Sequence, residues 1–298
     1  MNKKRLKTRK KIFKKNHCSL KNSHKDSTCL DDRLLIKIGN ILNEYHEANI
    51  KIENTREQLH QDISNKLSEM SNCNSEKCWL TIQELIRHLS QEELSLFKES
   101  FKPKKPSEWN KDPNTWLTTT QLELILDQLK NKYRDFYHYG ALPKDFEKRK
   151  NNSCISGDLC QINLQSHFNN KENKLGIIFN LDDHDEPGSH WTAMYIELLP
   201  CCRKVPSMYY FDSVGSRPPK EIKELVNKLQ EQYHSINGNT MDFLYNDIQH
   251  QQKNTECGIY CLHFLETMLK GKNFKQYIKN KNNDEYMEKF RNYYFIDE

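Results

Sequence analysis

Little in this sequence suits a membrane or a nucleotide. No apolar run approaches the ~18 residues that a transmembrane helix needs. The basic N-terminus does not lead into the apolar stretch of about 7–15 residues that marks a secretory signal. Glycine is scarce, at nine of 298 residues, and no glycine-rich loop that would cradle phosphate occurs. Internal repeats are absent. Cys73 and Cys78 have the spacing of one zinc half-site, yet no second pair at zinc spacing follows nearby. Cys257, Cys261 and His263 share an apolar stretch, where residues four apart lie on one helix face, so Cys261 is expected in the core and not on a metal. Position 263 is His, not the Arg that clamps phosphate six residues after the nucleophile in cysteine-based phosphatases. These absences leave a chain expected to be soluble and intracellular, in a reducing compartment, without metal or organic cofactor. Its ten cysteines are then expected as buried thiols or catalytic groups.

What is present is polar but sufficient for a core. Hydrophobic residues make up 36% and charged residues 29%, with a mean hydropathy of -0.94. The thirteen Phe and fourteen Tyr concentrate in the second half, and four Trp add to the apolar material. The net charge of +5 is uneven, because nine Lys and Arg lie between Lys3 and Lys15 and the remainder sums to −4. Residues 1–25 therefore form a like-charged block expected to be disordered. Such an arm, with Phe13 as its one aromatic, suits sequence-blind DNA phosphate binding, nuclear localisation or virion targeting.

Helical spacing begins after Cys29, with Leu34, Leu35, Ile38, Ile41 and Leu42, then Ile63, Leu67 and Met70. Short helices are expected over Leu80–Leu89 and Glu92–Phe101. Pro103, Pro106 and Pro113 make Lys102–Trp116 a linker, so a helical domain of residues 26–112 is expected before a second domain of residues 113–298. That second domain opens with Thr118–Thr120 as caps for a helix carrying Leu122, Ile125, Leu126 and Leu129. Strands are expected at Leu175–Phe179, Trp191–Ile196, Met208–Phe211 and Met241–Tyr245. Helices are expected after Pro219, from Gly258 to Leu269, and over Asp284–Tyr293. The fold class is α+β, with a central mixed sheet flanked by helices.

Cys257 stands between a polar loop, Gln249–Glu256, and the apolar helix. The positive end of a helix dipole favours thiolate there. Gly258 would let the backbone approach a bound carbonyl, the Cys257 N–H would face a developing oxyanion, and the Gln251 amide would supply a second donor. His190 stands just before one strand and Asp212 just after the next. Antiparallel pairing of those strands would bring the imidazole and carboxylate to one sheet edge, as a base and its orienter require. Joined to Cys257, they would form a Cys-His-Asp triad.

The order Ser189-His190-Trp191, Tyr210-Phe211-Asp212-Ser213, then Gln251 and Thr255-Glu256-Cys257-Gly258-Ile259-Tyr260, resembles the Ulp1-type and adenain-type cysteine proteases. Within them it is most similar to the polyprotein-processing proteases of African swine fever virus and related large DNA viruses. The segment Cys73–Cys78 and the helix after Cys29 resemble the helical arm of those enzymes. The resemblance implies Cys257 as nucleophile, His190 as base and Asp212 as orienter. It further implies that Trp191 closes a narrow tunnel over a Gly-Gly backbone, with Trp116 either the opposite wall or a core aromatic. The expected activity is a thiol endopeptidase, a monomer acting on a polyprotein or other Gly-Gly-containing chain, in the virion and host cytoplasm. Removal of SUMO or ubiquitin-like modifiers is one alternative, and a nucleic-acid-binding virion protein with an inactive protease fold is another. The acidic loop Asp182, Asp183, His184, Asp185 and Glu186 reads as a solvated flap or a grip for a basic segment.

Overall fold

The computed structural model describes residues 17–22, 28–200 and 205–297. The basic arm, Cys201 and Cys202 lie outside them. The described residues divide into two compact units, residues 105–293 and residues 14–104 together with 294–298. The division falls at Lys105, inside the proline-bearing segment and somewhat before the expected boundary. No helix among the described residues is long and apolar enough to cross a membrane.

The helical unit contains α1 (Asp32–His46), α2 (Arg56–Ser71), α3 (Glu76–Trp79), α4 (Gln83–Ile86) and α5 (Gln91–Glu99). Asp31 and Thr55 cap α1 and α2 through their side chains, and Ser90 with Glu93 forms a capping box on α5. The helical-period residues Leu34, Leu35, Ile38, Leu42, Ile63 and Leu67 form the core with Trp79 and Phe97. Lys104 and Ile296 form an isolated parallel bridge in this unit.

The other unit holds α6 (Thr119–Lys132), β1 (Phe136–Pro143), β2 (Arg149–Lys150), β3 (Ser153–Cys154), α7 (Leu164–Asn170), β4 (Lys174–Asn180), β5 (Trp191–Glu197), β6 (Ser207–Phe211), α8 (Lys220–Asn237), β7 (Asp242–Tyr245), α9 (Cys257–Leu269), α10 (Phe274–Lys279) and α11 (Asp284–Tyr294). Thr118 caps α6 as expected, in a capping box with Gln121. Five strands make a mixed sheet in the order β1-β4-β5-β6-β7. The β4–β5 and β5–β6 pairs are antiparallel, and the outer pairs are parallel. Alternation assigns the faces. Leu175, Ile177, Phe179, Met194, Ile196, Met208 and Tyr210 share a core cluster with Ile222, Leu225, Val226 and Leu229 of α8. On the opposite face Phe211 stacks on Phe264 of α9, and Tyr209 on Phe274 of α10. Burial on both faces explains why β4 reads as a continuous apolar run. Helix α9 is buried almost all round, as its apolar composition demands.

The cysteines depart from expectation. Cys18–Cys29, Cys73–Cys78 and Cys154–Cys160 are disulfides, with Cα–Cα separations of 4.9, 5.6 and 5.9 Å. Only Cys257 and Cys261 are free among the described residues. Pairing follows from Cα separation and direction in space, neither of which the sequence spacing of Cys73 and Cys78 displays.

Candidate active site

The sheet edge assembles the polar groups. β5 and β6 pair with Ala193 opposite Phe211, so the residue before β5 and the residue after β6 share that edge. His190 Nε2 lies 2.7 Å from Asp212 Oδ1. Asp212 is fully buried. Its Oδ1 also accepts the Val214 N–H at 2.9 Å, while its Oδ2 is buried without a partner among the described residues. Asn246, which follows β7, brackets the Asp212 backbone: its Oδ1 accepts the Asp212 N–H and its Nδ2 donates to the Asp212 carbonyl, both at 2.8 Å. The Asp212 carboxylate is thereby fixed through its main chain as well as its side chain.

With Nε2 engaged by Asp212, Nδ1 is the nitrogen left to meet Cys257, whose side chain interacts with His190. Burial disfavours the imidazolium, but the hydrogen bonds and negative charges of Asp212 and Cys257 outweigh it and raise His190 to about 9. The environment favours a protonated imidazole. Cys257 is the first residue of α9 and is 1% exposed. Cys261, one turn on, is completely enclosed, and burial pushes its thiol far upward. That leaves it a core residue.

The Gln251 side chain is also fixed. Its Oε1 accepts from Ser213 Oγ at 2.6 Å, and its Nε2 donates to the Lys253 carbonyl at 2.5 Å. A primary amide has two N–H donors, so one remains for a ligand. Glu256, at the N-cap of α9, makes no side-chain cap bond, leaving the first-turn N–H groups of the helix free of a side-chain acceptor.

A cleft of about 590 Å³ is lined by Trp116, Leu117, Glu123, Leu142, Gly188 and Trp191, the residue after His190, among others; His190, Asp212, Gln251 and Cys257 do not line it. Trp116 is 39% exposed and is not a core aromatic. Trp191 is buried, and its indole N–H donates to the Leu117 carbonyl at 2.9 Å.

A family model described as YopJ serine/threonine acetyltransferase matches residues 82–298. The chain belongs to that family. Among similar proteins, a thiol protease of Acanthamoeba polyphaga mimivirus is 28% identical over 253 residues, covering 83% of this chain and 76% of the relative. A cysteine protease of African swine fever virus (isolate Tick/Malawi/Lil 20-1/1983) is 27% identical over 242 residues, covering 76% of this chain and 84% of the relative. The crystal structure of an African swine fever virus protease matches with a TM-score of 0.65 at 23% identity, over 95% of this chain and 96% of that one. This family member is a cysteine protease, and its α+β fold with a mixed sheet is that of the viral enzyme.

Some sequence expectations take a different form in this protease. Gly258 has a packing role besides any access it gives the backbone. A Cβ there would meet Leu117 Cβ at 3.0 Å and Leu122 Cδ2 at 3.3 Å, so the missing side chain serves the packing of α9 on α6. The acidic loop is not a free flap. Asp183 pairs with Lys144 and Lys148, and His184 Nδ1 lies 2.7 Å from Asp145. Of the other histidines, His167 contacts Glu172 and Tyr139. His250 is buried against Phe211 and Tyr277, and burial lowers it to about 4. Asn246 and the buried Glu256–Arg291 pair were not anticipated, because each partner lies some 35 residues away.

Proposed function

We propose that this cysteine protease is an endopeptidase with Cys257 as nucleophile, His190 as acid–base group and Asp212 as its orienter. The imidazolium formed by proton transfer from Cys257 stabilises the thiolate. The sulfur attacks the scissile carbonyl, and the Cys257 N–H with the free Gln251 Nε2–H receives the oxyanion. His190 protonates the departing amine, then takes a proton from the water that hydrolyses the thioester. The observation that carries this assignment is the His190–Asp212 contact at 2.7 Å beside a cysteine that helps hold the imidazole protonated. Cys257→Ala should abolish turnover while leaving the fold intact, and cleavage near the wild-type rate by that variant would end the assignment.

The substrate is a protein chain cut after small residues of Gly-Gly type, in the maturation of viral structural polyproteins during virion assembly. Two tryptophans on one cleft support this, since indoles enclose a backbone closely only where side chains are absent. The enzyme acts as a monomer in the virion and host cytoplasm, and its basic arm makes non-specific contact with DNA. Incubation with a Gly-Gly peptide vinyl sulfone, followed by mass mapping, tests site and preference together. The expected result is a Cys257 adduct that is lost in His190→Ala; a bulky P2 probe labelling equally well would refute the preference.

The family description favours one second reading, in which the thioester is resolved by a serine or threonine hydroxyl instead of water. Transfer of an acetyl group to a hydroxyl-bearing protein, without peptide cleavage, would support it.

A further inference from the structure

The loop between Gln251 and Cys257 is short, polar and irregular, yet it must hold both oxyanion donors in register. Its restraints come from the last helix. Asp284, buried at the start of α11, accepts the backbone N–H groups of Gln252 and Lys253 on Oδ2, both at 2.9 Å. Its Oδ1 accepts the Tyr260 hydroxyl at 3.0 Å, which ties the same carboxylate to α9. Lys253 is also the residue whose carbonyl receives Gln251 Nε2.

Two turns along α11, Arg291 grips the other end of the loop. Its Nε lies 3.1 and 3.0 Å from the two Glu256 oxygens, and its Nη2 donates to Glu256 Oε1 at 2.8 Å and to the Thr255 carbonyl at 3.2 Å. The guanidinium is supported by Trp109, 4.6 Å from the ring centre. Glu256 immediately precedes the nucleophile. A carboxylate at an N-cap is drawn to the first N–H groups of its helix, where it would occupy the place of the oxyanion and repel it.

We infer that α11 shapes the oxyanion hole, with Asp284 positioning the Gln251 amide through Lys253 and Arg291 diverting the Glu256 carboxylate from the Cys257 N–H. Both are positioning residues, and the inference rests on the oxyanion donors assigned above. An oxyanion donor must lie within about 2.7–3.1 Å of the developing charge, and a displacement of about 1 Å costs on the order of 10²-fold in rate.

The test compares two reactions of Cys257 in the full chain. Iodoacetamide alkylation needs the thiolate but no oxyanion hole, whereas a Gly-Gly peptide aldehyde forms a hemithioacetal that uses it. Asp284→Ala should lower kcat on a fluorogenic Gly-Gly peptide about 10–100-fold, with KM nearly unchanged. It should weaken the aldehyde by a similar factor and leave the alkylation rate alone. Arg291→Gln should behave alike, and adding Glu256→Gln should restore most of the loss, because the competing charge is then gone. A kcat within about twofold of wild type in Asp284→Ala, or parallel loss of alkylation and aldehyde binding, would overturn the inference. If Asp284→Ala does not fold, Asp284→Asn decides in the same assays. Absence of alkylation at Cys257 in the wild-type protein would instead refute the nucleophile assignment.

Discussion

Replacing Asp212 by Asn probes the link between geometry and chemistry most directly. The exchange keeps an Oδ1 acceptor for His190 and Val214 but removes the charge. In the Oδ2 position, buried and unpartnered, it places an amide N–H₂ whose unmet donors cost about 1–3 kcal/mol, so a folded protein is expected. The rise of His190 from its ordinary 6.5 to about 9 corresponds to about 3.4 kcal/mol of preference for the imidazolium. Asp212 shares that with Cys257, and a carboxylate in contact is worth roughly 1–3 pH units. The alkaline limb of kcat/KM reports loss of the imidazolium. It should lie near pH 9 in the wild type and move down by roughly 1–2 units in Asp212→Asn, with kcat/KM lower by on the order of 10³-fold or more. Initial rates on a Gly-Gly peptide across the pH range, with circular dichroism at each pH, measure both. An alkaline limb still at its wild-type position would refute Asp212 as the group that holds His190 protonated.

Stability should follow the same linkage. His190 titrates higher in the folded protein than in the unfolded chain, so its contribution is fully present below about pH 6.5 and fades as pH rises through about 9. The Tm should drop over that interval in the wild type and drop less in His190→Ala; equal slopes would contradict the coupling. The three disulfides predict that alkylation of the denatured, unreduced chain modifies at most four of its ten cysteines, with intact mass as the readout. Modification of all ten would remove the disulfides from the account. Gly258→Ala gains helix propensity of about 1 kcal/mol but crowds Leu117 and Leu122, which typically costs about 1–3 kcal/mol. A Tm equal to or above wild type would show that α9 and α6 tolerate the extra carbon.

The sheet edge was legible in the sequence because it depends on local order. His190 before a strand and Asp212 after the next one meet whenever those strands pair antiparallel, and the apolar runs fixed both strand ends. The start of α9 was legible too, since an apolar helix follows a polar loop. β1 was not legible: its Tyr-His-Tyr-Gly centre breaks the alternation, and Gly140, at φ +85, sits where the pairing with β4 slips. The positioning groups were hidden for another reason. Glu256 and Arg291 are 35 residues apart, and no helical or strand period connects a loop residue with the middle of a later helix.

The relation between the family description and the protease relatives is a question about the second half of one reaction. Both proposed readings pass through an acyl group on Cys257, so the proposed arrangement of His190, Asp212 and Cys257 serves either. They differ in the size of the acyl group and in what attacks it. An acetyl group has three heavy atoms and needs no extended groove, whereas the cleft that ends at Trp191, next in sequence to His190, has a volume of about 590 Å³ and two tryptophans on its wall. A cleft of that size suits several residues of an extended chain, and binding energy gathered there can be used to align a scissile bond. Shortening the peptide on the acyl side should therefore lower kcat as well as raise KM. If a minimal acyl donor turned over as fast as a peptide filling the cleft, the groove would have no part in the reaction, and acyl transfer would become the better account of this active site.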